Sequence, residues 1–216
     1  MGINGMKKRI LLMIIALLCC SACLAGAEDA VSLPEAYEPI LEMVRKGMAG
    51  DPDTLENEDF NSVIYLESHY SSQKVGWALL DLDEDGEDEL LIGRTAYDPE
   101  TDVLWIFDIW TMAEDKARLF DRGWERKRMY LTAEGSRKCY GLYFEGADSA
   151  FESIFEHCLI RGLEKSEQET IICFTDVDTD TVTWTLNDAE IEEAEALRMI
   201  DEWKSIICPV KMTALE

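Results

Sequence analysis

Trp77-Ala78-Leu79-Leu80-Asp81-Leu82-Asp83-Glu84-Asp85-Gly86-Glu87-Asp88-Glu89-Leu90-Leu91-Ile92-Gly93 is the stretch that decides how this chain folds. Two short apolar runs flank an acidic loop with a glycine near its middle, the pattern of two strands joined by a turn. Within the loop, Asp81, Asp83 and Asp85 alternate, so in a tight turn their carboxylates can converge while the side chains between them point away. Calcium takes about six to eight hard oxygen ligands, and this spacing supplies several of them. Gly86 permits a backbone conformation that turns the chain, letting the carbonyl of Glu87 face the same point, and Glu89 arrives as a closing carboxylate. The expected metal set is therefore Asp81, Asp83, Asp85, Glu87 and Glu89, with Ca2+ as the cofactor. A plain solvated turn is the competing reading. The crowding of acids without a basic partner favours the ion, because their repulsion otherwise costs stability.

Working outward, the residues on both sides of this hairpin set the fold class. Strands are expected at 103–112, 117–120, 129–132, 138–144 and 181–186, each short and rich in β-branched or aromatic residues, with Glu134-Gly135 closing one hairpin. Residues 98–102 carry turn chemistry. Residues 151–160 fit a helical face or a strand pairing with 170–175, and are read as strand. Upstream, a helix is expected from Pro39 to about Gly50, then a turn at Asp51-Pro52-Asp53 and a second helix over 55–66. Downstream, Asn187 followed by Glu190 reads as a capping box opening a helix through Ile207, which Pro209 ends. Strands and helices do not alternate regularly, so the expected class is α+β, with helices packed on a twisted antiparallel sheet in a single domain. One acidic loop and no repeated period exclude a complete propeller.

The loop is not an EF-hand, whose bidentate Glu falls at the twelfth position, here Ile92, and whose flanks are helices. The hairpin, carried by Trp77 to Gly86 and Glu89 to Gly93 and followed by the aromatic strand at Trp105 to Trp110, resembles the strand-loop-strand calcium hairpins of FG-GAP and VCBS-type repeats. More closely, it resembles a group of uncharacterised exported proteins of Gram-positive bacteria, lipoproteins among them. That resemblance implies a non-catalytic extracellular domain in which Asp81, Asp83, Asp85 and Glu89 match the metal-loop positions. Glu84 departs from the pattern, standing where such loops often carry Gly or Asn.

Residues 1–27 read as a targeting segment: Lys7, Lys8 and Arg9, then an apolar run from Ile10 to Cys20, then small residues. The run is about half of what a membrane-spanning helix needs, roughly 20 residues. Two processing routes stay open. Cleavage after Ala25-Gly26-Ala27 would release the protein, whereas Cys20-Ser21-Ala22-Cys23 resembles a lipobox in which Cys23 would carry a lipid. Both place residues 28–216 outside the cytoplasm, secreted or tethered to the outer face of the membrane.

The net charge is −25, and loss of the segment takes it to about −28. Nucleic acid is excluded as a partner, since phosphate binding needs clustered basic residues, and membrane contact is expected only through a lipid on Cys23. With 47% apolar residues and six Trp the chain is too hydrophobic for a disordered acidic tail. Cys139, Cys158, Cys173 and Cys208 lack any CxxC spacing; they pair as two disulfides by one of three connectivities or serve as small buried hydrophobes. Asp176, Asp178 and Asp180 repeat the alternation without the glycine or the closing acid and read as a turn. His69 and His157, the only histidines, have no metal-type spacing and read as surface or packed residues. No nucleophile-elbow signature is present. The expected role is a non-catalytic binding or interaction module with one structural calcium loop, its partner an envelope protein or a glycan. The alternative is a secreted hydrolase using a pair of acids.

Overall fold

Leu90, Leu91 and Ile92 are fully buried, although successive strand residues point to opposite faces of a sheet. The strand that carries them is therefore covered on both sides. The computed structural model describes residues 33–72, 74–95, 104–133, 140–161 and 164–216. The 1–27 segment, the turn at 98–102, the turn at Glu134-Gly135 and Cys139 lie outside the described residues.

A 3-10 turn at Glu35–Tyr37 leads into α1 (Glu38–Met48), α2 (Pro52–Leu55) and α3 (Ser62–Tyr70). Pro39 sits in the first turn of α1, where its missing N–H costs nothing. The helix expected over 55–66 is corrected to two pieces. Asp51 caps α2 by accepting the N–H of Thr54 at 2.9 Å, and Asn61 caps α3 by accepting the N–H of Val63 at 3.1 Å. Each side-chain cap starts its own helix, so two helices begin where apolar spacing alone suggested a continuous run.

The strands follow: β1 (Val75–Leu80), β2 (Glu89–Arg94), β3 (Ile106–Ala113), β4 (Lys116–Arg122), β5 (Lys127–Ala133), β6 (Tyr140–Gly146), β7 (Glu152–Arg161), β8 (Glu164–Asp176), β9 (Thr181–Leu186) and β10 (Ala189–Ile191). After α4 (Glu193–Ser205) comes a two-residue β11 (Thr213–Ala214). The class is α+β, in one domain. The sheet is open and its pairings antiparallel, in the order β10-β9-β8-β7-β6-β5-β3-β2-β1-β11, with β4 on β3 off this path.

The capping box at Asn187 is a misreading. Asn187 and Asp188 both have left-handed backbones, φ 48° and 68°, and close a tight hairpin from β9 to β10. Two successive left-handed residues form the hairpin turn that Asn and Asp tolerate best. The helix opens later, at Glu193, with Glu192 at its N-cap position.

Side chains from α1, α3 and α4 cover one face, packing with Leu90, Ile92, Phe107, Tyr130 and Tyr143. The opposite core holds Leu82, Leu91, Ile106, Leu131 and Leu142, closed by Met212, Val210 and Cys208 from the C-terminal stretch. Cys158, Cys173 and Cys208 are free thiols, and Cys158 is buried, so two disulfides among the four cysteines are not formed. No helix among the described residues is long and apolar enough to cross a membrane.

Candidate metal centre

β1 and β2 pair in continuous register from Val75 with Arg94 to Leu80 with Glu89. The hairpin therefore closes at Glu89 and throws residues 81–88 out as the loop. Leu82 is 1% exposed and plugs the base of the loop into the second core. Glu84 and Gly86 adopt left-handed backbones, φ 63° and 91°, and fold the loop back on itself. Gly86 adopts this readily; Glu84 does so against its own side chain.

Asp81, Asp83 and Glu89 each offer a carboxylate oxygen, and these oxygens lie within 4.8 Å of one another. Oxygens bound to one calcium at about 2.3–2.6 Å can be no more than ~5 Å apart, so the grouping matches a single shared ion. Glu89 is 5% exposed. Its Oε2 accepts the N–H of Leu82 at 2.8 Å and its Oε1 the hydroxyl of Thr111 at 3.0 Å. Asp81 Oδ2 accepts the N–H of Gly86 at 3.2 Å, while Asp81 Oδ1 is buried with no hydrogen-bond partner among the described residues. An orphaned carboxylate oxygen in a protein interior is costly, and here it stands in a group of three acids.

Burial pushes the Glu89 carboxyl up to about 7, against the hydrogen bonds from Leu82 and Thr111 and with the charges of Asp83 and Asp85 adding to the rise. Burial likewise raises Asp83, opposed by the N–H of Asp85 and reinforced by the charges of Asp85 and Asp81. Carboxyls held above their ordinary values by desolvation and one another's charge are the electrostatic setting that a divalent cation relieves.

No protein-family model, no curated protein and no solved structure matches the chain.

Of the four expected carboxylate ligands, Asp81, Asp83 and Glu89 are brought together. Asp85 lies outside this group: it is exposed, and its Oδ1 accepts the N–H of Glu87 at 2.8 Å. Glu87, expected to contribute its main-chain carbonyl, has an exposed side chain. The donor set fits calcium, all hard oxygen with one atom unsatisfied. Asp81, Asp83 and Glu89 would hold the ion, and the ion would supply charge neutralisation that pins the two strands.

Two residues that the sequence did not single out shape this centre. Thr111, on β3, fixes the Glu89 carboxylate from 22 positions away. Tyr37, fully buried, donates its hydroxyl to the carbonyl of Asp88. Neither lies near the loop in sequence, and only strand pairing and helix packing bring them there. The second aspartate run behaves as a plain turn, Asp176 accepting the N–H groups of Asp178 and Thr179. Of the two alternatives left open for His157, surface or packed, the structure shows the second, with the residue 6% exposed.

Proposed function

We propose that the protein is a non-catalytic exported binding module whose β1–β2 hairpin is locked by one calcium ion. The observation that carries this reading is the convergence of Asp81, Asp83 and Glu89 around a buried Asp81 oxygen that no described residue satisfies. The ion would sit where β1, β2 and β3 meet, because Glu89 is tied to Leu82 and Thr111. Its role is to hold the hairpin in register and remove the repulsion among the loop acids. Export is argued from the 1–27 layout, and the millimolar calcium of extracellular fluid suits a loop of this kind, since extracellular modules bind it at about 10⁻⁴–10⁻³ M.

The test is a thermal melt of the protein in chelator and in rising calcium, alongside Asp81→Asn and Asp83→Asn. An ion that binds only the folded state at about 100 times its Kd adds roughly 2.7 kcal/mol. The parent should melt higher in calcium and the variants should respond little. An unmoved parent Tm at millimolar calcium would end the metal reading.

A further inference from the structure

Far from the calcium loop along the sheet order, the face that carries the helices holds a cleft. Tyr130, Tyr143, His157 and Glu169 stand in one row across β5, β6, β7 and β8, each the cross-strand partner of the next. Direct cross-strand partners share a face, and Tyr130 and Tyr143 belong to the core beneath the helices. α4 lays Trp203 on this row, its ring stacked on His157 with centroids 5.7 Å apart and tilted on Tyr143 at 6.4 Å. Gly141 lets the β6 backbone lie close beside this row, where a Cβ would clash with the Cys158 carbonyl. A Cβ there would come within 2.7 Å of Thr132 Oγ1 and 3.4 Å of His157 Nε2, where Thr132 and His157 approach to 3.3 Å.

Beyond the row, β8 bulges. His157 pairs with Glu169 but Leu159 pairs with Ser166, so β8 carries one extra residue opposite Cys158. Glu167, in that bulge, has φ 52°. Bulges bend a strand and re-aim its side chains. Here the bend leaves a cleft of about 550 Å3 under the end of α4, within the range of ~300–1,000 Å3 common for small-ligand sites.

The lining decides the ligand class. Its floor is the buried pair His157 and Trp203 with Leu159 and Ile206, and its acidic rim is Glu167, Glu169 and Glu202, with no Lys or Arg among the described residues of the wall. Glu167 and Glu202 each meet an arginine at 2.6 Å, in pairs with both side chains about 60% exposed. Such solvent-exposed pairs are weak and exchange readily for another cation. Glu169 makes no ion pair among the described residues. A low-dielectric cleft rimmed by one sign of charge concentrates ions of the other sign, and an apolar floor favours a ligand with an aliphatic body, as lysine stems lie along apolar surface while the head stays polar. With Glu167 and Glu202 paired, Glu169 leaves the rim net negative, which disfavours an anion. A sugar lacks its stacking platform, because His157 covers a face of the Trp203 indole.

We propose that this cleft binds an ammonium or guanidinium group on an aliphatic stem, as carried by a lysine or arginine side chain of a peptide or by a free polyamine. Glu169 holds the cationic head and Leu159 and Ile206 flank the stem. The inference rests on the binding-module half of the proposed function and not on its metal.

Because the chain has two histidines, the imidazole carbon-proton signals make a direct readout, with His69→Gln assigning them. The protein is titrated with N-acetyl-lysine amide, 1,5-diaminopentane and hexanoate, each with and without calcium. The expected result is a saturable shift of the His157 signal with the two amines, no shift with hexanoate and a still His69 signal. Tighter binding of the blocked lysine assigns a peptide side chain, and tighter binding of the diamine a polyamine. Glu169→Gln should weaken binding at least tenfold with an unchanged melt, and Ser205→Arg, which brings the protein's own guanidinium to the cleft, should abolish it. Equal shifts with hexanoate, parallel movement of His69, no saturation, or a Glu169→Gln titration like the parent's would overturn the proposal. Failure of the calcium reading shows separately, as a melt that calcium leaves unmoved while the His157 shift persists.

Discussion

The hydroxyl of Tyr37 donates to the main-chain carbonyl of Asp88 at 2.9 Å and lies 3.3 Å from that of Trp110. One buried phenol thus joins the start of the helical layer to the last residue of the acidic loop before Glu89 and to β3. Removing the hydroxyl takes the donor from the part-buried carbonyl of Asp88, a cost of about 1 kcal/mol. Tyr37→Phe should therefore lower the melting temperature in chelator. It should also weaken calcium binding, since Asp88 is then free to shift beside Glu89, and calorimetric titration would read that change.

Glu89 gives a pH dependence whose sign can be worked out. Its carboxyl titrates at about 7 in the folded protein against an ordinary 4.5, so the folded state holds this proton more tightly than the unfolded state does. The stability from this group is full below pH 4.5 and is lost as the pH rises through 7. The loss amounts to about 3 kcal/mol at 1.36 kcal/mol per unit. Without metal, Glu89→Gln should then be more stable than the parent at pH 8 and no more stable at pH 4. Calcium should raise the parent above the variant at pH 8, because the ion needs the ionised carboxylate. Denaturant unfolding at both pH values checks each sign.

Asp108 is 1% exposed and is held by Arg122 at 2.9 Å and by Asn61 at 2.8 Å. Arg122 also reaches the carbonyls of Glu58 and Asp59, fastening the segment before α3 to the sheet. Arg122→Leu strands a buried charge, which typically costs about 3–5 kcal/mol. Adding Asp108→Asn should restore much of that loss, and a double-mutant cycle in denaturant measures the coupling.

Gly47, within α1, lets the ring of Phe60 lie against the helix backbone; a Cβ would stand 2.1 Å from that ring. Helix propensity alone would make Gly47→Ala stabilising by about 0.8–1 kcal/mol. Overpacking costs about 1–3 kcal/mol and wins here, so the melting temperature should fall.

At the β9–β10 turn, Asp188 has φ 68°. Asp188→Gly should stabilise by about 0.5–1 kcal/mol, since glycine meets no steric cost in the left-handed region. An unfolding curve moved to lower denaturant would contradict that turn assignment.

Much of this protein was legible locally. Alternating acids around Gly86 marked the hairpin, short β-branched and aromatic runs marked the strands, and residues 151–160 formed the strand expected of them, because strand patterns and turn residues are properties of neighbours in sequence. Two local signals misled. Asn187 and Glu190 fit a capping box, but Asn187 and Asp188 could satisfy a hairpin turn equally well, and pairing with β8 and β9 settled the choice. Apolar spacing over 55–66 hid a break after Leu55, beyond which Asn61 caps a new helix.

The sequence by itself determined the strand-loop-strand hairpin, the α+β class, the acidic charge and the identity of the acids in the loop, since each depends on spacing and composition alone. Only the tertiary structure decided which of those acids meet. Glu89 joins Asp81 and Asp83 because Leu82 and Thr111 grip it, whereas Asp85 turns to the N–H of Glu87. The cleft is likewise a product of packing alone, because His157, Glu169 and Trp203 come from β7, β8 and α4. Cross-strand register and helix docking, which no local pattern encodes, bring them to one face.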